Sequence, residues 1–251
     1  MAPKRVLLAG ETWVSYGVHM KGFAAYTTGQ YSEGMHAFVA ALTASGHEVT
    51  HIPNHLATTQ FPGSIEKLRA FDVVILSDLP ADTLLLHPDT FDRGLRTPDR
   101  LALLVEWINS GGGFLMVGGY MSFSGFEGKA RYQNTALASA LPVAMLGFDD
   151  RIELPSGASP RVVASHPIVD GMEKEWPYVL GYNRFLAKPN ASVIVECGGD
   201  PFLVVGAHGT GRVAAYASDQ SPHWASPEFM SWPAYAPLWS RIIEWLSGEL
   251  G

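Results

Sequence analysis

Along the chain, short apolar runs alternate with segments whose apolar residues recur at helical spacing. That alternation predicts βαβ units around a mostly parallel sheet. RVLLAG at 5–10 reads as a buried strand. SEGMHAFVAALTASGH at 32–47 reads as a helix, with Ser32 as its cap, Met35, Phe38, Val39 and Leu42 on one face, and Gly46 at its end. EVTHIP at 48–53 is the next strand, Ser64 caps a short helix to Leu68, and DVVILSD at 72–78 is a third strand. In TPDRLALLVEWINSGGG at 97–113, Thr97 is the expected cap and Pro98 the first helical residue. Leu101, Leu104, Val105 and Ile108 form its buried face. FLMVGG at 114–119 is a fourth strand.

The second half is less regular. RIELP at 151–155 and RVVA at 161–164 are short and alternating, as expected of antiparallel additions. SVIVECGG at 192–199 is another strand, and AHGTG inside 201–219 has the glycines of a hairpin turn. Tyr235, Leu238, Trp239, Ile242, Ile243 and Leu246 give the final helix one apolar face. No internal repeat, low-complexity tract or linker breaks the pattern. Residues 1–251 are therefore expected to form one α/β domain, with extra antiparallel strands in its C-terminal half.

Composition narrows the function classes. A net charge of −7, with no basic run longer than Lys4-Arg5, argues against nucleic-acid binding. No stretch is long and apolar enough for a membrane span, and the N-terminal VLLAG is too short for a signal-peptide core. A single cysteine, Cys197, allows no internal disulfide, as in a reducing compartment. The expectation is a cytoplasmic protein with a small-molecule substrate and no cofactor, compatible with a homo-oligomer.

In open parallel sheets, ligands bind beyond the carboxyl ends of the strands. The segments there, GETWVSYGVHMKG, PNHLATTQF, SDLPADTLLLHPDTF, GYMSFSGFEGKARY and SDQSPHWASPEF, are the richest in His, Tyr, Trp, Ser and acids. GGGFLMVGGYMSFSG at 111–125 has the form of a strand leading into a tight nucleophile elbow, with Tyr120 as its central residue.

The chain resembles a known family in RVLLAGETWVSYG, in GGGFLMVGGY and in GRVAAYASDQSPHW. It is similar over nearly its whole length to the "putative glutamine amidotransferase" family of the class I glutamine amidotransferase-like superfamily, which is related to trehalose-utilisation (ThuA-like) proteins. The resemblance implies a flavodoxin-like fold. Active class I amidotransferases carry Gly-X-Cys-X-Gly and a later His-X-Glu, the thiolate attacking glutamine while backbone N–H groups hold the oxyanion. Here the elbow reads Gly118-Gly119-Tyr120-Met121-Ser122, and no His-X-Glu follows it. The family name is thus expected to describe a fold rather than a thioester glutaminase.

Other chemistry stays open. Tyr120 exchanges protons if a neighbour lowers its pKa from about 10. By the resemblance, His223 stands near the superfamily's catalytic histidine and is the preferred acid/base, with Asp219 to orient it or to cap a turn. Glu11 directly follows the first strand, as a functional acid or a loop carboxylate. His19 and Lys21 are candidates to hold an anionic or carbonyl group, or are a solvated loop. Arg131 is a candidate carboxylate clamp beside Lys129, or a surface pair with Glu127. Trp13, Ser122, Tyr182, Asn183 and Trp224 complete the expected pocket, with Ser122 and Ser124 as weaker nucleophile candidates. His51 and His55 are four apart, but Pro53 and Asn54 turn the chain between them; a trio of Glu11, His19 and His223 has no supporting spacing, so no metal is expected. GAHGTG lies in a predicted hairpin and fails the context of a dinucleotide loop. The sequence reading favours an enzyme using acid/base chemistry on a small polar metabolite, amide-like or carbohydrate-derived. A non-catalytic metabolite-binding module and an inactive glutaminase-like subunit remain alternatives.

Overall fold

A computed structural model of the chain describes residues 3–251. Its strands are β1 (Arg5–Gly10), β2 (Thr12–Lys21), β3 (Ala24–Glu33), β4 (Glu48–Ile52), β5 (Val73–Ser77) and β6 (Gly113–Val117), then β7 (Val143–Met145), β8 (Arg151–Ala158), β9 (Arg161–Val162) and β10 (Val179–Asn183). β11 (Phe185–Ala187), β12 (Ser192–Cys197), β13 (Asp200–His208) and β14 (Gly211–Tyr216) complete them. The helices are α1 (His36–Ala44), α2 (Asn54–Gln60), α3 (Ile65–Leu68), α4 (Ala81–Leu85), α5 (Pro88–Arg93), α6 (Arg100–Asn109), α7 (Leu137–Ala140), α8 (Pro227–Met230) and α9 (Tyr235–Leu246).

The main sheet has the order β4-β1-β5-β6-β14-β13-β12-β9. β4, β1, β5, β6 and β14 are parallel neighbours, and β13, β12 and β9 add on antiparallel. The parallel part runs second, first, third, fourth and fifth in chain order, which is the flavodoxin-like order. β5 and β6 are buried along their whole length because helices cover both faces. β13 and β14 form the hairpin expected around AHGTG. β8 is an antiparallel addition as expected, paired with β10 in a separate two-stranded sheet.

Two helix starts are corrected. α1 begins at His36 rather than Ser32, because residues 24–33 are taken into β3. α6 begins at Arg100, capped by Asp99, whose carboxylate accepts from the N–H groups of Leu101 and Ala102 at 3.0 Å each. Thr97 instead shares a 2.7 Å hydroxyl contact with Thr90. Asp competes well for the capping position since its oxygens satisfy two N–H groups that the helix leaves unpaired. Arg100 is buried without a carboxylate partner; its guanidinium donates to the carbonyls of Ala57, Thr58, Thr83 and Leu84 and ties α2 and α4 to α6.

The largest departure lies after β1. GETWVSYGVHMKG, expected as a rim loop, is mostly β2, paired with β3 in a two-stranded ribbon from Thr12 to Glu33. Nearly every ribbon residue is solvent-exposed.

Candidate active site

At the carboxyl edge of the sheet, β1 and β5 are each followed directly by an acid, Glu11 and Asp78. These neighbouring strands flank the point where the strand order reverses, and that point opens a crevice. Glu11 takes φ 57° and Asp78 takes φ 46°, left-handed conformations that non-glycine residues adopt at a cost on the order of 1–3 kcal/mol. Such conformations hold here because the neighbours fix them. Glu11 N–H donates to the Ser77 carbonyl at 3.0 Å. Asp78 N–H donates to Ser122 Oγ at 3.1 Å, and Met121 N–H donates to Asp78 Oδ1 at 2.6 Å. Asn54 braces the turn by donating its amide to the Asp78 carbonyl at 2.8 Å.

The elbow after β6 closes the crevice. Gly119 sits between two acids: a Cβ there would lie 2.8 Å from Asp219 Oδ1 and 2.9 Å from Asp78 Oδ1, at φ 144°. Only glycine lets the elbow approach this closely. Asn183, fully buried on β10, accepts from Gly119 N–H at 2.9 Å and donates to Asp150 at 2.8 Å. Asp150 also accepts from the N–H groups of Ser124 and Gly125 at 2.9 Å each.

A cavity of about 380 Å³ results, lined by Glu11, Trp13, Asp78, Tyr120, Met121, Asp219, Ser221, Pro222 and His223. Glu11 accepts from Ser77 Oγ at 2.5 Å and from Ser221 Oγ at 3.2 Å. Its burial, and then the nearby charges of Asp219 and Asp78, push its pKa up to about 8. Burial and Asp219 push Asp78 up to about 6. Burial also raises Asp219. Asp219 Oδ2 lies 2.7 Å from His223 Nδ1, and that hydrogen bond raises the histidine above its ordinary value. The half-exposed imidazole stands edge-on to the Tyr120 ring at 4.5 Å between centroids.

The aromatic wall is held from behind. Tyr120 donates its hydroxyl to Glu153 Oε1 at 2.9 Å, and Trp224 donates Nε1–H to Glu153 Oε2 at 3.1 Å. Arg151 lies over the rings of Tyr120 and Phe126 at 4.6 and 4.2 Å. The Tyr120 pKa is raised, first by burial and then by Glu153, the reverse of the lowering that proton exchange would need.

Five sequence-predicted residues, Glu11, Trp13, Tyr120, Asp219 and His223, thus share one cavity. The others do not line it. Ser122 is buried beneath the elbow on Asp78 N–H, and Ser124 donates to the Leu146 carbonyl. Tyr182 is buried and donates to Asp200 at 2.8 Å, and Asn183 and Trp224 support the elbow and Glu153 from behind. His19 and Lys21 lie far along the exposed ribbon, where His19 bonds Thr28 at 3.1 Å. Arg131 pairs with Asp82 at 2.8 Å and Lys129 with Glu127 at 2.5 Å. His51 bonds the Gly10 carbonyl at 2.8 Å while His55 packs on Tyr31, so the two serve different contacts. Cys197 is buried on β12, its thiol pushed up to about 12. Sequence reasoning passed over Asp78, Ser221, Arg151 and Glu153. Asp78 had a readable signal, an acid closing the apolar run VVILS.

Comparison with known proteins adds the family. The family model described as "Putative glutamine amidotransferase" matches residues 5–248. The chain belongs to that family. Two cytoplasmic proteins of Salmonella typhimurium have the same fold and related sequences. One is 40% identical, with TM-score 0.93 over 96% of this chain and 98% of its own. The second, from strain LT2, is 41% identical, with TM-score 0.94 over 96% and 99%. A ThuA-like protein of Parabacteroides merdae shares the fold at 11% identity and TM-score 0.59, over 98% of this chain and 90% of its own. No curated protein matches the chain. No helix among the described residues is long and apolar enough to cross a membrane.

Proposed function

We propose that this member of the family is a single-domain, cytoplasmic acid/base enzyme acting on a small, neutral, polar metabolite, and not a thioester glutaminase. The observation that carries the reading is the convergence of Glu11, Asp78, Asp219 and His223 on one cavity. A carboxyl group with a pKa of about 8 holds its proton at neutral pH and serves as a general acid. Asp219 anchors His223 Nδ1, which leaves Nε2 as the exchanging nitrogen. Glu11 and His223 thereby give and take a proton on the same bound molecule. Tyr120 and Trp13 supply aromatic faces, and Glu153 and Arg151 position Tyr120.

The lining also selects the substrate's charge. It contains three carboxyl groups, one imidazole and no Lys or Arg. His19, Lys21 and Arg131, the cations expected to receive an anion, stand elsewhere. An α-carboxylate or phosphate would meet these acids against a single imidazole already held by Asp219, which disfavours glutamine itself. Against thioester chemistry, the elbow carries Tyr120 and the one cysteine has a buried, hard-to-ionise thiol. The likeness in fold to a ThuA-like protein makes carbohydrate-derived compounds the first class to assay, with neutral amides second.

The test is a thermal-shift screen of neutral sugars, sugar lactones and amides, followed by turnover assays on the hits. The expected result is a neutral ligand that wild type converts and that His223→Ala and Glu11→Gln bind but do not convert. Ligands that bind wild type and both variants equally, with no turnover by any, would establish a binding module instead.

A further inference from the structure

The β2–β3 ribbon is an unpartnered surface of unusual composition. Among the described residues, eight of the fourteen exposed large hydrophobic side chains lie between Trp13 and Tyr31. Register sorts them by face. Val14, Tyr16, Val18 and Met20 alternate along β2, and their cross-strand partners on β3 are Tyr31, Gly29, Thr27 and Ala25. The opposite face carries Ser15, Gln30, Thr28, His19 and Lys21, with Trp13 at its base and Tyr26 stacked on His19. One face is therefore a continuous apolar strip, with the Tyr16 ring laid across Gly29. Its base is seated on the body, where Tyr31 meets His55 of α2 edge-on at 5.4 Å. Beyond that contact the strip faces solvent. A two-stranded hairpin in water is marginally stable, and an apolar strip with open edges invites pairing.

We infer that the apolar strip of the ribbon is the contact surface for a second copy of this chain, packed strip to strip about a two-fold axis near Tyr16. Area supports a second copy. Large side chains carry on the order of 150–250 Å² each, so the five on the strip, Val14, Tyr16, Val18, Met20 and Tyr31, expose on the order of 500 Å² together. Two strips together cover about 1,000 Å², the lower bound for a specific interface. Charge supports it as well. Each copy carries a net charge of −7, so two copies repel unless they meet through uncharged surface. From Thr12 to Glu33 the only Asp, Glu, Lys or Arg residues are Lys21 and Glu33, at the tip and the base, and Lys21 lies on the polar face. A strip without charge carries no mark for an acidic or basic partner, and it is complementary to itself.

The experiment measures the mass of the full chain in solution by sedimentation or light scattering from about 1 to about 100 μM. Wild type is expected to be a dimer, or a larger assembly built from dimers. Tyr16→Asp and Tyr16→Lys are each expected to release monomer, with the melting temperature held within a few degrees to show that the body stays folded. Mixing those two variants is expected to restore the dimer, because a residue near the axis meets its own copy. A crosslink gives a second readout. Cys197 is buried, so with the ribbons antiparallel across the axis a mixture of Val14→Cys and Val18→Cys chains is expected to give a crosslinked dimer with a short bis-maleimide while wild type does not. A wild type that stays monomeric throughout this range overturns the proposal. So does an assembly that persists in both Tyr16 variants, or a mixture of Val14→Cys and Val18→Cys chains that fails to crosslink.

Discussion

Glu11 is held in two unfavourable ways, a left-handed backbone and a carboxyl group with almost no access to water. The folded state holds the carboxyl neutral far above the ordinary value of 4.5. Its contribution to stability is whole below that value and is lost as pH rises through about 8. Glu11→Gln keeps the shape and removes the titration. The variant is therefore expected to melt above wild type near pH 8.5, by on the order of 5 °C, and the gap should close towards pH 4.5. His223 and Asp219 divide differently. His223→Ala should cost at least about 100-fold in kcat, the scale of a lost general base. Asp219→Asn should lower kcat less and shift the pH profile, since it keeps the shape but removes the charge that raises the imidazole. Gly119→Ala forces a methyl group between Asp78 and Asp219. Denaturant melts should record a loss of about 2 kcal/mol or more, accompanied by loss of ligand binding.

At the scale of elements, the parallel strands and α9 were legible because a buried sheet and its covering helix need uninterrupted or regularly spaced apolar residues. The ribbon was not, although Val14, Tyr16, Val18 and Met20 alternate with period two. Gly17, Gly22 and Gly29, with the Ser and Thr between them, carry the composition of a loop, and no buried face supplied the usual contrast. The five site residues that do converge were legible from their position at strand ends. Asp78 was passed over because a polar residue closing an apolar run also reads as a simple strand terminator. Glu153 and Arg151 lie on β8, whose pairing with β10 outside the main sheet is set by tertiary contacts. The elbow loop rests on Asp150 as a three-donor acceptor. Asp150→Ala leaves those donors without their partner, and a loss of about 2–4 kcal/mol in urea melts is expected.

Across the whole molecule, the flavodoxin-like strand order brings residues 11, 78, 120, 219 and 223 to one crevice although they span most of the chain. The family shares that order, while the groups at the strand ends set the chemistry. Here those groups form an acid-rich, cation-poor cavity, which a glutaminase would not need. The pH dependence of kcat/KM, measured on a neutral ligand from the screen for wild type, Glu11→Gln and His223→Ala, tests that account most directly. Wild-type activity should fall above about pH 8 as Glu11 loses its proton, and both variants should be inactive across the range. Wild-type activity that stays level through pH 9, or turnover surviving in either variant, would contradict it.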